Sequence, residues 1–263
     1  MSLTFKHLVL PALVILACIA SIPAFINQTR EKPDGFTWKQ IPGDAIDLDI
    51  SMEGVAWIVA TDGAVKKWDG AAWVQVGENA TRISAGPTGN TWIVDKQNNL
   101  LRWGAGKWSL MPGKAIDISV GASGRIWMIG TKKKPGGFAI YKWGIHNWLE
   151  VPGAAVRIST GPKGNPWIVN DRQQISRLTR ELWEPAPGSA NDISVAANGV
   201  PWIVLQKNKQ DDEPHIYGWN GRGWDLFEGP MVGVAVDARG RPWAFDDQNR
   251  IFAHPQSLAL KSE

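Results

Sequence analysis

Residues 148–170 read WLEVPGAAVRISTGPKGNPWIVN, and the same unit occurs six times along the chain. Its leading tryptophan stands at 38, 73, 108, 148, 183 and 224, and a second follows nineteen residues later at 57, 92, 127, 167, 202 and 243. Three residues before each second tryptophan there is a glycine: Gly54, Gly89, Gly124, Gly164, Gly199 and Gly240. A fixed period of this size marks a repeat architecture, in which each unit buries its apolar face only against its neighbours.

Each unit reads as four short strands. In the first, strand a spans residues 45–51, strand b 55–60, strand c 64–68 and strand d 72–76. Turn residues separate them: Met52-Glu53-Gly54, Asp62-Gly63, Asp69-Gly70, and then Pro-Gly or its equivalent before the next strand a. Four-stranded units of 35 to 41 residues, marked by aromatics and glycines, are the pattern of a propeller blade. The expected fold is all-β: a six-bladed β-propeller of four-stranded blades over residues 36–256. The first unit opens with a lone strand d, Trp38-Lys39-Gln40-Ile41, and the last ends after its strand c. The N-terminal strand is therefore expected to close the last blade and hide two open edges.

Strand b is a continuous apolar run, as in Trp57-Ile58-Val59 and Trp167-Ile168-Val169, which suits a strand covered on both faces. Strand a carries charge. Ten residues before each second tryptophan stand Asp47, Arg82, Asp117, Arg157, Asp192 and Gly233, and two positions later Asp49, Ser84, Ser119, Ser159, Ser194 and Ala235. If strand a is innermost, acids and bases alternate around the axis. This ring is read either as inter-blade ion pairs that fix register, the favoured reading, or as an ion or ligand site in the channel.

Two units are longer, and the excess lies between strands b and c. It comprises residues 131–137, with Lys132, Lys133 and Lys134, and residues 206–215, with Lys207 and Lys209. Both insertions are expected on one face, as partner or anionic-surface loops or as tolerated solvated loops.

Before the repeats, residues 8–26 are apolar and uncharged, and residues 27–35 suit a linker. The apolar run reads as a helical secretory signal, as an uncleaved membrane anchor, or as a lipoprotein signal ending at Cys18. All three place the propeller outside the cytoplasm: periplasmic, at the cell surface or secreted. Residues 257–263 are left as a tail. The net charge of +3 is a mild basic bias without a nucleic-acid signature. Cys18 is the one cysteine, so no internal disulfide forms.

The chemistry of catalysis is missing. His7, His146, His215 and His254 lack metal spacing to one another or to cysteine, and there is no GxSxG and no P-loop. No catalytic residue, metal or cofactor is expected.

The run W-x-x-[VIM]-P-G-x-A-x-x-I-S-x-G-x-x-G-x-x-W-[IM]-[VI], fullest at residues 108–129 and 148–169, resembles tectonin repeats. A final WxG element stands at Trp68-Asp69-Gly70 and Trp219-Asn220-Gly221. The resemblance covers the whole chain after the linker. It implies a propeller that binds sugar or lipopolysaccharide, in a family whose members also serve in protein interaction. The sequence departs from the pattern at Leu178 and His254 in place of the strand-c tryptophan, at Gly77-Glu78, and at Glu228-Gly229-Pro230.

Three functions compete. In a glycan-binding module, aromatic rings beside Asx-Gly turns stack on sugars, with Trp68, Trp103, Trp143 and Trp219 as the candidates; in the plain alternative these rings fill wedges between blades. An adaptor would dock a membrane or envelope protein through one face. An enzyme is the weakest reading, since no site is visible.

Overall fold

The structure is a computed structural model, and it describes residues 37–205, 213–227 and 229–259. The strand β1 (Lys39–Asp44) precedes the first complete repeat, which runs β2 (Asp47–Ile50), β3 (Ala56–Val59), β4 (Val65–Trp68) and β5 (Trp73–Gly77). The second repeat contains β6 (Ala80–Ala85), β7 (Thr91–Asp95) and β8 (Asn99–Gly104), and passes through β9 (Lys107–Val120) into the third. The third continues with β10 (Ile126–Lys134), β11 (Gly137–Trp143) and β12 (Trp148–Ala155). The fourth has β13 (Arg157–Thr160), β14 (Pro166–Val169), β15 (Gln174–Thr179) and β16 (Leu182–Ser189). The fifth has β17 (Asp192–Val195), β18 (Pro201–Leu205), β19 (His215–Trp219) and β20 (Trp224–Phe227). The sixth has β21 (Met231–Val236), β22 (Pro242–Asp246) and β23 (Arg250–Ala253).

The all-β propeller stands, but the expectation of six separate four-stranded blades needs correction. Four blades are self-contained four-stranded sheets, and the second and third repeats share one seven-stranded sheet, β6 to β12. The cause is local. Lys114 pairs with Asn99, and the next residue, Ala115, already pairs with Gly130, so no residue between the two ladders is left without a partner. Elsewhere the ladder lapses at this crossing, as at Val156 between β12 and β13. The expected N-terminal helix over residues 8–26 falls outside the described residues. Among those described, no helix is long and apolar enough to cross a membrane.

The last sheet has the order β1-β23-β22-β21, so a strand from the start of the chain completes it. Ile41 pairs with Ile251 there, and both are buried. A short 3-10 helix, Pro255–Ala259, crosses the boundary expected between propeller and tail, and Ser257 in it is buried.

Among the described residues the core is six apolar wedges, one between each pair of neighbouring repeats. Alternation along strand b feeds two wedges at once: Trp57 and Val59 join Ile83 and Ile93 on one side, while Ala56 and Ile58 join Trp243 and Ile251 on the other. The wedge containing Ile58 and Ile251 joins the last repeat to the first, which closes the ring.

Register also fixes the two faces. Lys39 stands level with Ala253, Ala253 with Trp243, and Trp243 with Ala235. The a–b and c–d turns therefore lie on one face, where β1 begins. The b–c turns and d–a crossings lie on the other.

Candidate functional site

The innermost strands of neighbouring repeats do not pair with each other, so their N–H groups need acceptors. Side chains supply them in two belts around the axis. In the first, Asp47 Oδ2 accepts from Ile83 N at 2.7 Å, Asp117 Oδ2 from Ile158 N at 3.0 Å, and Asp192 Oδ2 from Val234 N at 3.4 Å. In the second, Asp49 Oδ2 accepts from Ala85 N at 2.8 Å and from Ser84 Oγ at 3.0 Å. Ser84, Ser119 and Ser159 then accept from Val120 N, Thr160 N and Val195 N at 2.8–2.9 Å. Each bond steps from one repeat to the next.

The charged ring lies on these strands. Arg82 Nη1 stands 3.8 Å from Asp47 Oδ1, and Arg157 Nε 3.5 Å from Asp192 Oδ1. Asp117, between the two arginines, takes backbone donors instead. The sixth place is Gly233, where a Cβ would stand 2.1 Å from the Phe245 ring, so no arginine fits.

The ring thus carries more acid than base in a narrow, low-dielectric channel. Burial, reinforced by Asp117 and Asp192 and opposed by Arg82, pushes the Asp47 carboxyl up to about 7. Burial pushes Asp49 up to about 6 against three hydrogen bonds, and raises Asp117 as well. Burial disfavours the charged Arg82, but Asp47, Asp117 and Asp192 outweigh it and hold its pKa above the usual value. The free volume beside the ring is about 50 Å³. At ~10–15 Å³ per water, that is room for a few waters. Among the described residues no group of three or more His, Cys, Asp or Glu is placed to hold a metal ion.

The strand-c tryptophans are half-buried at the c–d turns. Each meets the strand-d tryptophan of its own repeat: Trp68 with Trp73 at 5.0 Å, Trp103 with Trp108 at 5.2 Å, Trp143 with Trp148 at 4.9 Å, and Trp219 with Trp224 at 5.1 Å between ring centroids. Trp103 and Trp143 also reach the strand-b rings Trp57 and Trp92. These rings are therefore partly core, with one margin at the surface beside turns such as Asp69-Gly70 and Asn220-Gly221.

The strand-d indoles have a role the sequence reading missed. Trp73 Nε1 donates to Pro42 O at 2.6 Å, Trp148 to Pro112 O at 2.7 Å, Trp183 to Pro152 O at 2.6 Å and Trp224 to Pro187 O at 2.9 Å. The Pro-Gly element of one repeat is the acceptor for the next repeat's tryptophan. In the second repeat, which lacks Pro-Gly, Val76 O takes that place for Trp108. The recurrence of Trp and Pro-Gly was the available signal, but their pairing spans about one repeat and leaves no local trace.

The insertion at residues 131–137 extends the β10–β11 hairpin rather than forming a loop. Lys132 and Lys134 both pair with Glu150, the former at 3.3 Å, and Lys133 is exposed. Lys207 and Lys209 lie outside the described residues.

A protein-family model, the Tectonin domain, matches residues 79–180 and 155–262. The chain belongs to the Tectonin domain family. A search among curated proteins returns no match. Among solved structures, the tectonin chain is similar to regucalcin, a calcium-binding protein from Agrobacterium tumefaciens, at 12% identity and TM-score 0.61, covering 84% of this chain and 94% of that one. It is similar to streptogramin B lyase at 13% identity and TM-score 0.57, covering 83% and 96%. It is also similar to YCF48 bound to D1 peptide, at 16% identity and TM-score 0.52, covering 85% and 84%. At these identities the likeness concerns the propeller fold.

Proposed function

We propose that this tectonin propeller is a non-catalytic binding module displayed outside the cytoplasm, and that it recognises glycans or lipopolysaccharide through the c–d turns. The observation that carries the reading is the recurrence, at four turns, of a half-buried tryptophan with an exposed margin beside a polar turn. An indole margin of this kind stacks on the apolar face of a sugar, while turn side chains and N–H groups bind its hydroxyls. Each site is shallow and therefore weak, and near-identical sites on one face gain avidity against a repetitive target. Residues 8–26 supply the signal or membrane anchor in this reading.

The test is a glycan array with the full chain and with Trp68→Ala, Trp103→Ala, Trp143→Ala and Trp219→Ala. Stepwise loss of binding with the fold retained is expected. A lowered melting temperature with unchanged binding would assign these rings to the core alone.

A second reading, an adaptor that docks a membrane or envelope protein, is favoured by exposed apolar side chains. Leu110, Ile145 and Leu182 are 71–86% exposed. Absence of glycan binding by the intact chain, with capture of a defined protein from membranes, would select it.

A further inference from the structure

We infer that the face carrying the a–b and c–d turns lies against an anionic phospholipid bilayer, so that the propeller sits face-down on the membrane. The inference rests on the reading of residues 8–26 as an anchor, and it narrows the sugars that reach the c–d turns of the anchored chain to those of membrane lipids, lipopolysaccharide among them. Three independent observations converge on it.

The first is apolar exposure. Ile145 is 86% exposed in a c–d turn, Leu182 71% at the end of another, and Met52 41% in an a–b turn. The remaining large apolar side chains exposed among the described residues lie on outer strands, Val74 and Leu149 second, Leu226 third and Leu110 fourth from the end beside these turns. The b–c face carries none among the described residues.

The second is charge. Lys107, Arg125, Lys163, Arg180, Arg222 and Arg239 are exposed on this face, against the acids Glu53, Asp69 and Glu181. Of those acids, Glu181 already pairs with Lys142 at 3.7 Å. Among the described residues the opposite face sets Asp62, Glu78, Asp171, Glu213 and Asp247 against Lys96, Lys114, Lys133 and Arg172. Lys132 and Lys134 share Glu150, while Lys96 and Lys114 donate to the neutral oxygens of Asp62 O and Asn99 Oδ1 and keep their charge. The a–b and c–d face is therefore net basic while the other is close to balanced, and the basic face is also the more apolar one. Apolar tips among basic side chains are the combination that binds anionic headgroups.

The third is where the chain enters. β1 begins at this face, since Lys39 is level with Ala253 and the c–d turns. The linker and the apolar residues 8–26 precede it directly. A chain that enters at this face brings it nearer the bilayer than the other.

The experiment uses the full chain with Cys18→Ala, which removes the native thiol, and single cysteines at Ile145→Cys, Leu182→Cys and Lys133→Cys carrying an environment-sensitive fluorophore. The chain is reconstituted in vesicles of phosphatidylcholine with phosphatidylglycerol. Emission at 145 and 182 should shift to the blue, and an aqueous reductant should quench these labels several-fold more slowly than the label at 133. Pure phosphatidylcholine, or Lys163→Glu with Arg222→Glu, should reduce that protection. Equal quenching at all three sites on vesicles that the chain still floats with overturns the face assignment and leaves the anchor standing. Failure to float overturns the anchor on which the inference rests. Protection at 145 and 182 that persists without lipid means that a second copy covers this face, which also overturns the inference.

Discussion

At the scale of single residues, the ring around the axis makes stability depend on pH in an unusual direction. Asp47 at about 7 and Asp49 at about 6 lie above the ordinary carboxylate value of 3.8. Between 3.8 and about 7 the folded ring holds protons that the unfolded chain has released. Stability should therefore fall as pH rises through that window and level off above it, with an amplitude on the order of a few kcal/mol. Asp47→Asn should flatten the slope, and melting temperature against pH is the measurement. Asp44 works the other way at lower pH, because hydrogen bonds from Thr61 hold its carboxyl below the usual range. Arg157→Ala should destabilise the protein by ~1–3 kcal/mol, less than a fully buried pair because both partners keep some channel exposure. The urea midpoint checks this, and an unchanged midpoint would show that Arg157 adds nothing to the ring. The placement of the ring on the innermost strands was legible in the ten-residue offset from each tryptophan. Its work as acceptor for the next repeat's N–H groups was not, because Ser84, Ser119 and Ser159 read only as small residues.

At the scale of elements, the d-to-a crossing decides how repeats are joined. A strand-d indole clamps onto the preceding Pro-Gly carbonyl, and the glycine admits it. At Gly153 the backbone has φ +117°, and a Cβ would lie 2.8 Å from Trp183 Nε1. Gly153→Ala should cost ~1–3 kcal/mol through strain and displacement of the indole. Gly104→Ala meets nothing within 4 Å and should be close to neutral. Thermal melts of the two variants test the clamp by their difference. Periodicity made the four strands of each repeat legible. The fusion of two repeats through β9 was not, since it depends on a single unbroken step from Lys114 to Ala115 that sequence patterning does not mark. Residues 131–137 look like a loop in sequence for a related reason: Lys132, Lys133 and Lys134 carry no apolar alternation, yet their backbone continues the ladder of β10.

At the scale of the whole molecule, closure rests on β1. Ile41 is 3% exposed in the wedge that joins the last repeat to the first. Ile41→Ala should cost ~2–5 kcal/mol, and hydrogen exchange should then show β21 to β23 losing protection before the other sheets. Uniform loss around the ring would show instead that the wedges melt as one unit. The pairing of β1 with β23 has a further consequence in time. Among the described strands, the ribosome makes β1 first and its partner β23 last. At ~5–20 residues per second, the roughly 200 residues between them keep the earliest strand waiting ~10–40 s for its mate. The intermediate repeats emerge meanwhile and find their wedges in order, so the nascent chain is an open arc with one half-dressed end. The closing of the ring is therefore a clasp: only when Ile251 has emerged does Ile41 gain a place to lie.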